Sequence, residues 1–293
     1  MITVPGSEYR MGSDSFYPEE QPVRRVKIDT FLIDEYPVTN ADFAAFVAAT
    51  GYVTSAERSS DDGVVGSAVF HRTREPVPCD DPRRWWAIDP DANWRRPEGM
   101  GSSVDGREDH PVVHVTSSDA EAYATWAGNK LPTEAEWELA ARGGLDGSDY
   151  AWGDELAPGG RMLANYWQGL FPFSNLLTDG WERTSPVGSF PPNGYGIFDM
   201  IGNVWEWTAD WWALPQQIAR SCCSVDNPRG GRRHDSFEPG VRKGTGRRVL
   251  KGGSHLCAAN YCQRYRPAAR IPQAIDSSTG HIGFRCVMRP PRS

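Results

Sequence analysis

The chain has 293 residues, 39% of them hydrophobic and 24% charged, and a net charge of −7. That is enough apolar material for a sizeable core, which excludes a disordered or fibrous class. The acidic balance excludes a basic nucleic-acid footprint, and no apolar run approaches the length of a membrane span.

Basic clusters at residues 229–233 and 242–248 read as solvated loops rather than a binding face. The opening residues Met1-Ile-Thr-Val-Pro-Gly6 show no basic region followed by an apolar stretch, so the expected compartment is the cytoplasm. The 30 Gly and 23 Pro exceed the usual shares of roughly 7% and 5%. With 12 Trp, they point to short elements and long loops held by large aromatic side chains.

Along the chain, residues 1–36 read as short strands, including Val26-Lys-Ile-Asp29 and Phe31-Leu-Ile-Asp34. A helix follows, with Thr39 as its cap, Asp42 three residues on, Phe43, Phe46 and Val47 as its apolar stripe and Gly51 as its stop. Residues 52–109 are irregular and polar, with Trp85, Trp86 and Trp94 as anchors. A loop of that length is functional or partly mobile. Val112-Val-His-Val115 reads as a strand, and a short helix from Ser117 or Ser118 runs to about Ala127. Leu131-Pro-Thr-Glu-Ala-Glu-Trp137 carries a capping box, Thr133 with Glu136, and Gly143-Gly144 ends that helix. From residue 150 on, turns, Trp-bearing loops and short strands are expected. No composition shift marks a linker, so residues 1–293 read as one domain, and a monomer is the expected state.

Six cysteines are present: Cys79, Cys222, Cys223, Cys257, Cys262 and Cys286. In a chain this long without a secretion signal, a disulfide framework is the weaker reading. Cys257 and Cys262 stand out. A helix puts residues five apart about 140° around its axis, and a strand puts them on opposite faces. Only an irregular loop brings them together, and Gly252-Gly253 is suited to such a bend. A convergent pair can be a disulfide, part of a zinc site with His255, or a holder of a soft ion such as Cu(I). It can also be two unrelated small core residues.

The segment Gly252-Gly-Ser-His-Leu-Cys257, Tyr261-Cys-Gln-Arg-Tyr-Arg266, Ala268-Ala-Arg270, Asp276-Ser-Ser278 and Gly283-Phe-Arg-Cys286 resembles the C-terminal core of formylglycine-generating enzymes, the sulfatase-modifying factors. The resemblance runs almost end to end. It includes Met11-Gly-Ser13, Pro37-Val-Thr-Asn40, His110-Pro-Val112, Trp126-Ala-Gly128, Asn165 with Trp167-Gln-Gly169, Pro191-Pro-Asn-Gly-Tyr-Gly196 and Gly202-Asn-Val-Trp-Glu-Trp207. It implies an α+β domain with little regular secondary structure, related to the C-type lectin fold. It also implies an enzyme that uses O2 and an external thiol reductant. Such an enzyme converts the cysteine of a Cys-x-Pro-x-Arg motif in an unfolded sulfatase polypeptide to Cα-formylglycine. It implies neither nucleic acid nor membrane as a partner.

Carried over residue by residue, Cys257 and Cys262 are the copper ligands, and Ser254 and Tyr261 their polar surroundings. Trp207 is an aromatic wall against solvent. The other readings are a turn serine, a packed tyrosine and a core tryptophan. Asn93, Trp94 and Arg95 border the peptide groove. One structural calcium is implied at Asn165 and Asp179 with the carbonyls of Tyr166 and Trp181, and a second at Asn203 with Gly202, Val204 and Glu206. The family pattern has His after the first cysteine and Ser before the tyrosine. This chain has Ala258 and Asn260, so rate or substrate fit is expected to differ while both thiols remain. Ala124, Ala141 and Pro267 stand where secreted relatives form disulfides, which makes Cys286 a buried free thiol. Two other readings are an iron-dependent sulfoxide synthase and a non-catalytic interaction module of the same fold. The first calls for a His-x3-His-x-Glu motif that this chain lacks.

Overall fold

The computed structural model describes residues 1–58, 65–214, 224–238, 240 and 244–291. Its elements in chain order are β1 (Ile2–Val4), β2 (Ser7–Met11), β3 (Arg24–Ile28), β4 (Phe31–Ile33), α1 (Asn40–Thr50), β5 (Ser67–Phe70), β6 (Trp86–Asp89), α2 (Ser117–Trp126) and α3 (Glu134–Arg142). These are followed by β7 (Trp205–Trp211), β8 (Val225–Asp226), β9 (Arg247–Lys251), β10 (Arg270–Ala274), β11 (Ile282–Gly283) and β12 (Val287–Met288). Among the described residues these form four small sheets, ordered β1-β4-β12, β10-β9-β7-β11, β2-β3-β8 and β5-β6. This is the α+β fold with little regular structure that the sequence predicts. Among the described residues no helix is long and apolar enough to cross a membrane.

The three helices begin where a side chain meets their free N–H groups. Thr39 accepts from Asp42 N–H, Thr116 from Asp119 N–H and Thr133 from Glu136 N–H, each with the reciprocal bond of a capping box. Gly51 and Gly143 end α1 and α3 in the left-handed conformation. The middle helix starts at Ser117, as expected, because Thr116 caps it with Asp119 standing three residues on.

Two expectations are corrected. Residues 112–115 form no strand. Val112 N–H bonds to the Val38 carbonyl while His114 N–H bonds to the Thr279 carbonyl, and His114 turns to φ 60. No single partner strand forms a ladder, so the apolar run is buried without being a sheet element. Conversely, the long segment after residue 52 holds a hairpin, with β5 and β6 paired antiparallel. Cys222, Cys223 and part of the 242–248 cluster lie outside the described residues.

The four-stranded sheet positions the cysteine segment. Central β9 pairs with β10 on one side and β7 on the other. It ends at Lys251, fully buried, directly before Gly252 and Gly253. The core beneath combines α3 and the sheet faces around Trp137, Trp207, Phe284 and Leu250. A second aromatic cluster, Phe70, Trp85, Trp167 and Phe171, packs with Leu256 and Ala258 of the cysteine segment.

Candidate active site

The chain leaves β9 through Gly252 at φ 94 and Gly253 at φ 74. A Cβ on Gly253 would lie 2.7 Å from the Arg264 carbonyl oxygen and 2.8 Å from Tyr265 N, so only glycine lets the returning arm pass this close. Turns follow: Cys257 N–H bonds to the Ser254 carbonyl (2.9 Å), and Cys262 N–H to the Ala258 carbonyl (2.8 Å). The loop that geometry demands is present, and it brings Cys257 Sγ and Cys262 Sγ to 3.2 Å. A disulfide is about 2.05 Å long, so these are two free thiols, both buried.

The pair is electrically asymmetric. Ser254 N–H points at Cys257 Sγ (3.4 Å), and Arg264 Nη1 lies 3.8 Å from Cys262 Sγ. Arg264 is held by Glu19 (2.5 Å) and stacks over the Tyr17 ring, 3.7 Å from its centroid. The hydrogen bond from the Cys257 thiol, together with the Arg264 guanidinium, lowers the Cys262 thiol to about 7 against the cost of burial. Burial, then the neighbouring sulfur, pushes Cys257 up. Ionisation is therefore favoured at Cys262, beside Arg264, and disfavoured at Cys257.

An aromatic floor adjoins the thiols. Tyr261 stacks on Phe171 at 4.4 Å and 7° and meets Trp85 edge-on at 5.6 Å. Its phenol is pushed up to about 12 by burial and then by the sulfur charges, so it stays protonated and able to donate. Asn260 grips Phe171 twice: its Oδ1 accepts from Phe171 N–H (3.1 Å) and its Nδ2 donates to the Phe171 carbonyl (3.1 Å). Cys79 donates to the same carbonyl (3.4 Å). Ser254 is fully buried and its hydroxyl oxygen accepts from Leu256 N–H (3.2 Å).

Trp207 sits in β7 opposite Leu250, fully buried, and donates from Nε1 to the Val115 carbonyl (3.0 Å). Trp94 is buried edge-on against Phe43, Arg95 covers its ring and pairs with Glu57 (2.6 Å), and Asn93 Oδ1 accepts from Arg95 N–H.

The two sets of oxygen donors differ. Asp179 Oδ2 accepts from Tyr166 N–H (3.1 Å) and Gln168 Nε2 (2.7 Å), and its Oδ1 from Trp181 N–H (2.9 Å). Gln168 Nε2 also meets the Tyr166 carbonyl. Asn165 donates to the Arg183 carbonyl (2.8 Å), which leaves its buried Oδ1 with no partner. In the other set the side-chain oxygens of Glu206 and Asn203 have partners. Both Glu206 oxygens accept from Arg285 (2.8 Å each) and one from Trp137 Nε1 (2.7 Å), while Asn203 exchanges two bonds with Ser185. The Asn203 carbonyl accepts from His255 N–H and Nδ1, 2.9 Å each. Gly202 N–H bonds to the Gly252 carbonyl, and Val204 is buried in the core.

A family model described as the sulfatase-modifying factor enzyme 1-like domain matches residues 1–290. The chain belongs to this family, that of the formylglycine-generating enzymes. It is 49% identical to the formylglycine-generating enzyme of Mycobacterium tuberculosis, over 99% of this chain and 98% of that protein. To the enzyme of the same name from Mus musculus it is 45% identical, over 98% and 74%. It is also 38% identical to the inactive C-alpha-formylglycine-generating enzyme 2 of Mus musculus, over 98% and 84%. Among solved structures, PvdO from Pseudomonas aeruginosa superposes with a TM-score of 0.63 at 24% identity, covering 97% of this chain and 92% of that one. The Treponema denticola variable protein 1 gives 0.59 at 21%, covering 99% and 95%. Both neighbours speak to the fold alone.

Within this sulfatase-modifying factor chain, the structure brings Cys257, Cys262, Ser254 and Tyr261 onto one turn and keeps Trp207 in the sheet core. It adds Arg264, Glu19, Phe171 and Trp85, which sequence reasoning missed. Arg264 had a signal, a cation two residues after a thiol. Phe171 and Trp85 had none, since they arrive from distant loops.

Proposed function

We propose that the chain oxidises the cysteine of a Cys-x-Pro-x-Arg segment in an unfolded sulfatase to Cα-formylglycine, with O2 as oxidant and Cu(I) held by Cys257 and Cys262. The observation that carries this reading is two buried, unbonded thiols 3.2 Å apart. Family membership alone does not decide it, because two relatives are named as inactive. Soft thiolates suit Cu(I). Among the described residues no group of three or more His, Cys, Asp or Glu converges on a metal, which disfavours the iron and zinc readings. Bound there, Cu(I) supplies affinity for a third thiolate and one-electron reactivity toward O2.

The chain's own residues do the rest. Cys262 gives up its proton near neutral pH, and Arg264 holds the resulting charge. The Tyr261 phenol stays a donor at the edge of the pair. Phe171 and Trp85 back Tyr261 and keep water from that side. The overall balance consumes one O2 and two external thiols. The target carbon becomes an aldehyde, its sulfur leaves as hydrogen sulfide, the two thiols leave as a disulfide, and the remaining oxygen leaves as water. Free thiols at Cys79, Cys257, Cys262 and Cys286 suit a reducing compartment, so we place the protein in the cytoplasm, as a monomer.

We assign structural calcium to the Asn165 and Asp179 set, where a buried oxygen lacks a partner. The Glu206 carboxylate is neutralised by Arg285, so that set serves as an ion pair here.

The test is mass spectrometry of a Cys-x-Pro-x-Arg peptide incubated with the Cu(I)-loaded protein and a thiol reductant, in air and without O2. Aldehyde formed only in air is expected. No aldehyde, with neither copper binding nor peptide loss, would sink the reading and favour an interaction module.

A further inference from the structure

The loop over residues 167–177 lies against the cysteine turn and carries three leucines that pack into no core. Leu170, Leu176 and Leu177 are 47%, 69% and 42% exposed, and Tyr261, stacked on Phe171 of the same loop, is 37% exposed. The loop is firmly tied. Trp167 N–H bonds to the Cys257 carbonyl (3.0 Å), Asn260 grips Phe171, and Asn175 Oδ1 accepts from Gln168 N–H (3.1 Å) and Leu177 N–H (3.3 Å). Leu177 holds φ 54, a conformation that leucine rarely adopts, while 42% of the residue stays exposed. Gly169, at φ 122, lets Leu176 close over it: a Cβ there would come within 3.2 Å of Leu176 Cγ and 2.6 Å of the Ser174 carbonyl oxygen. Single surface leucines need no explanation, whereas several on one fixed loop beside a reactive pair mark a contact surface.

We propose that this leucine ledge docks apolar side chains that flank the target cysteine in an unfolded polypeptide substrate. The proposal rests on the preceding reading in taking the substrate to be an unfolded chain whose Cys-x-Pro-x-Arg cysteine reaches the thiol pair. Continuity fixes the occupant. Tyr261 directly precedes Cys262 and stacks on Phe171, the neighbour of Leu170. A chain that delivers its thiol to the pair from the Tyr261 side runs along the ledge. Unfolded chains offer free apolar side chains that folded ones have buried.

Fluorescence anisotropy with the full chain tests this. The peptides carry Ser in place of the target Cys, so binding is read without turnover. One has leucines on both sides of the Cys-x-Pro-x-Arg core and the other has serines there. The leucine-flanked peptide is expected to bind about fivefold tighter, the scale of partly burying one or two leucines. Leu170→Ser with Leu176→Ser is expected to erase that advantage and leave the serine-flanked peptide unchanged. Equal binding by the unaltered chain, or an advantage that survives the double substitution, would overturn the ledge. So would a concentration-dependent dimer in sedimentation that the substitutions abolish, since the face would then belong to a second copy. Conversion of the cysteine-bearing peptide is scored separately: ledge-dependent binding without aldehyde formation in air sinks the oxidation reading and upholds the docking surface.

Discussion

The buried charge layer under the sheet and the thiol turn above it adjoin along the chain, Lys251 lying just before the turn that holds Cys257, and they handle polar groups in opposite ways. In the layer every buried charge is met. Lys251 Nζ lies 2.9 Å from Glu138, Arg142 lies 2.7 Å from the same carboxylate, Arg270 donates to Glu134 (2.9 Å), and Arg266 meets Glu20 (2.5 Å). Burial works to raise the Glu138 carboxyl, yet Lys251 and Arg142 outweigh it and hold it at about 2. In the turn, the two sulfurs have one another, the backbone N–H groups of Ser254 and Arg264 and one distant guanidinium. The saturated layer fixes where β9 ends, and the unsaturated turn keeps its coordinating capacity for something outside the fold. Stability and reactivity are thus carried by different residues of one hairpin-like segment.

The largest effects break that comparison directly. Cys257→Ala or Cys262→Ala is expected to lower peptide conversion by about a thousandfold or more, while the free energy of unfolding in urea moves by only about 1 kcal/mol. Comparable losses of both would mean that the thiols are framework. The reverse pattern is expected for Glu206→Gln, which leaves the fully buried Arg285 without its carboxylate. Breaking a buried pair costs about 3–5 kcal/mol, read as a lower urea midpoint, with conversion per folded molecule retained.

Acid acts on the framework as well as on the thiol turn. His114 Nε2 faces the Pro97 carbonyl (2.8 Å) and so carries the hydrogen, which leaves Nδ1 to accept from Ser67 (2.7 Å). His255 Nδ1 faces the Asn203 carbonyl. Burial lowers both imidazoles from 6.5 to about 4. Between those values the unfolded chain binds protons that the folded chain refuses. Their stabilisation is therefore complete above pH 6.5 and lost as pH falls toward 4, by about 3 kcal/mol for each histidine. Asp199, raised by burial to about 6, works in the opposite direction below that pH. The Glu138 contribution disappears only below 4.5, between there and about 2. His281, lowered by burial to about 3, shares the loss seen for His114 and His255. Urea midpoints at pH 7 and pH 5 are expected to differ, and His114→Asn is expected to flatten the difference only in part. A flat profile in the unaltered chain would remove the histidines from the framework.

The sequence made legible what is local. The capping boxes at Thr39 and Thr133 lie within four residues of the helices they start, so both helices were readable. The need for a loop between Cys257 and Cys262 followed from residue spacing alone. The run from Val112 to Val115 was misread because its hydrogen bonds go to Val38 and Thr279, which no local pattern announces. The β5–β6 hairpin was hidden inside a polar stretch. The asymmetry of the thiols rests on Glu19 fixing Arg264 from the far end of the chain. Asn260, legible only as a departure from the family pattern, turns out to hold Phe171 under Tyr261.

The smallest expected effect concerns the calcium assignment, where a framework site resembles the thiol turn in keeping a donor unmatched. Asn165 Oδ1 has no partner, and burial raises the nearby Asp179 carboxyl, so without a cation this corner bears an uncompensated polar cost. A divalent ion would hold the carboxylate ionised and meet the orphan oxygen together. At a hundredfold excess over its dissociation constant, bound calcium adds about 2.7 kcal/mol. For a domain of this size that is a rise in Tm of roughly 5 °C over the protein in chelator. Asp179→Asn is expected to abolish the rise and leave copper-dependent conversion near its original rate at low temperature. Glu206→Gln is expected to keep the rise, because its carboxylate belongs to Arg285. A calcium response lost in Glu206→Gln and kept in Asp179→Asn would move the ion to the other set and merge the charge layer with the metal framework.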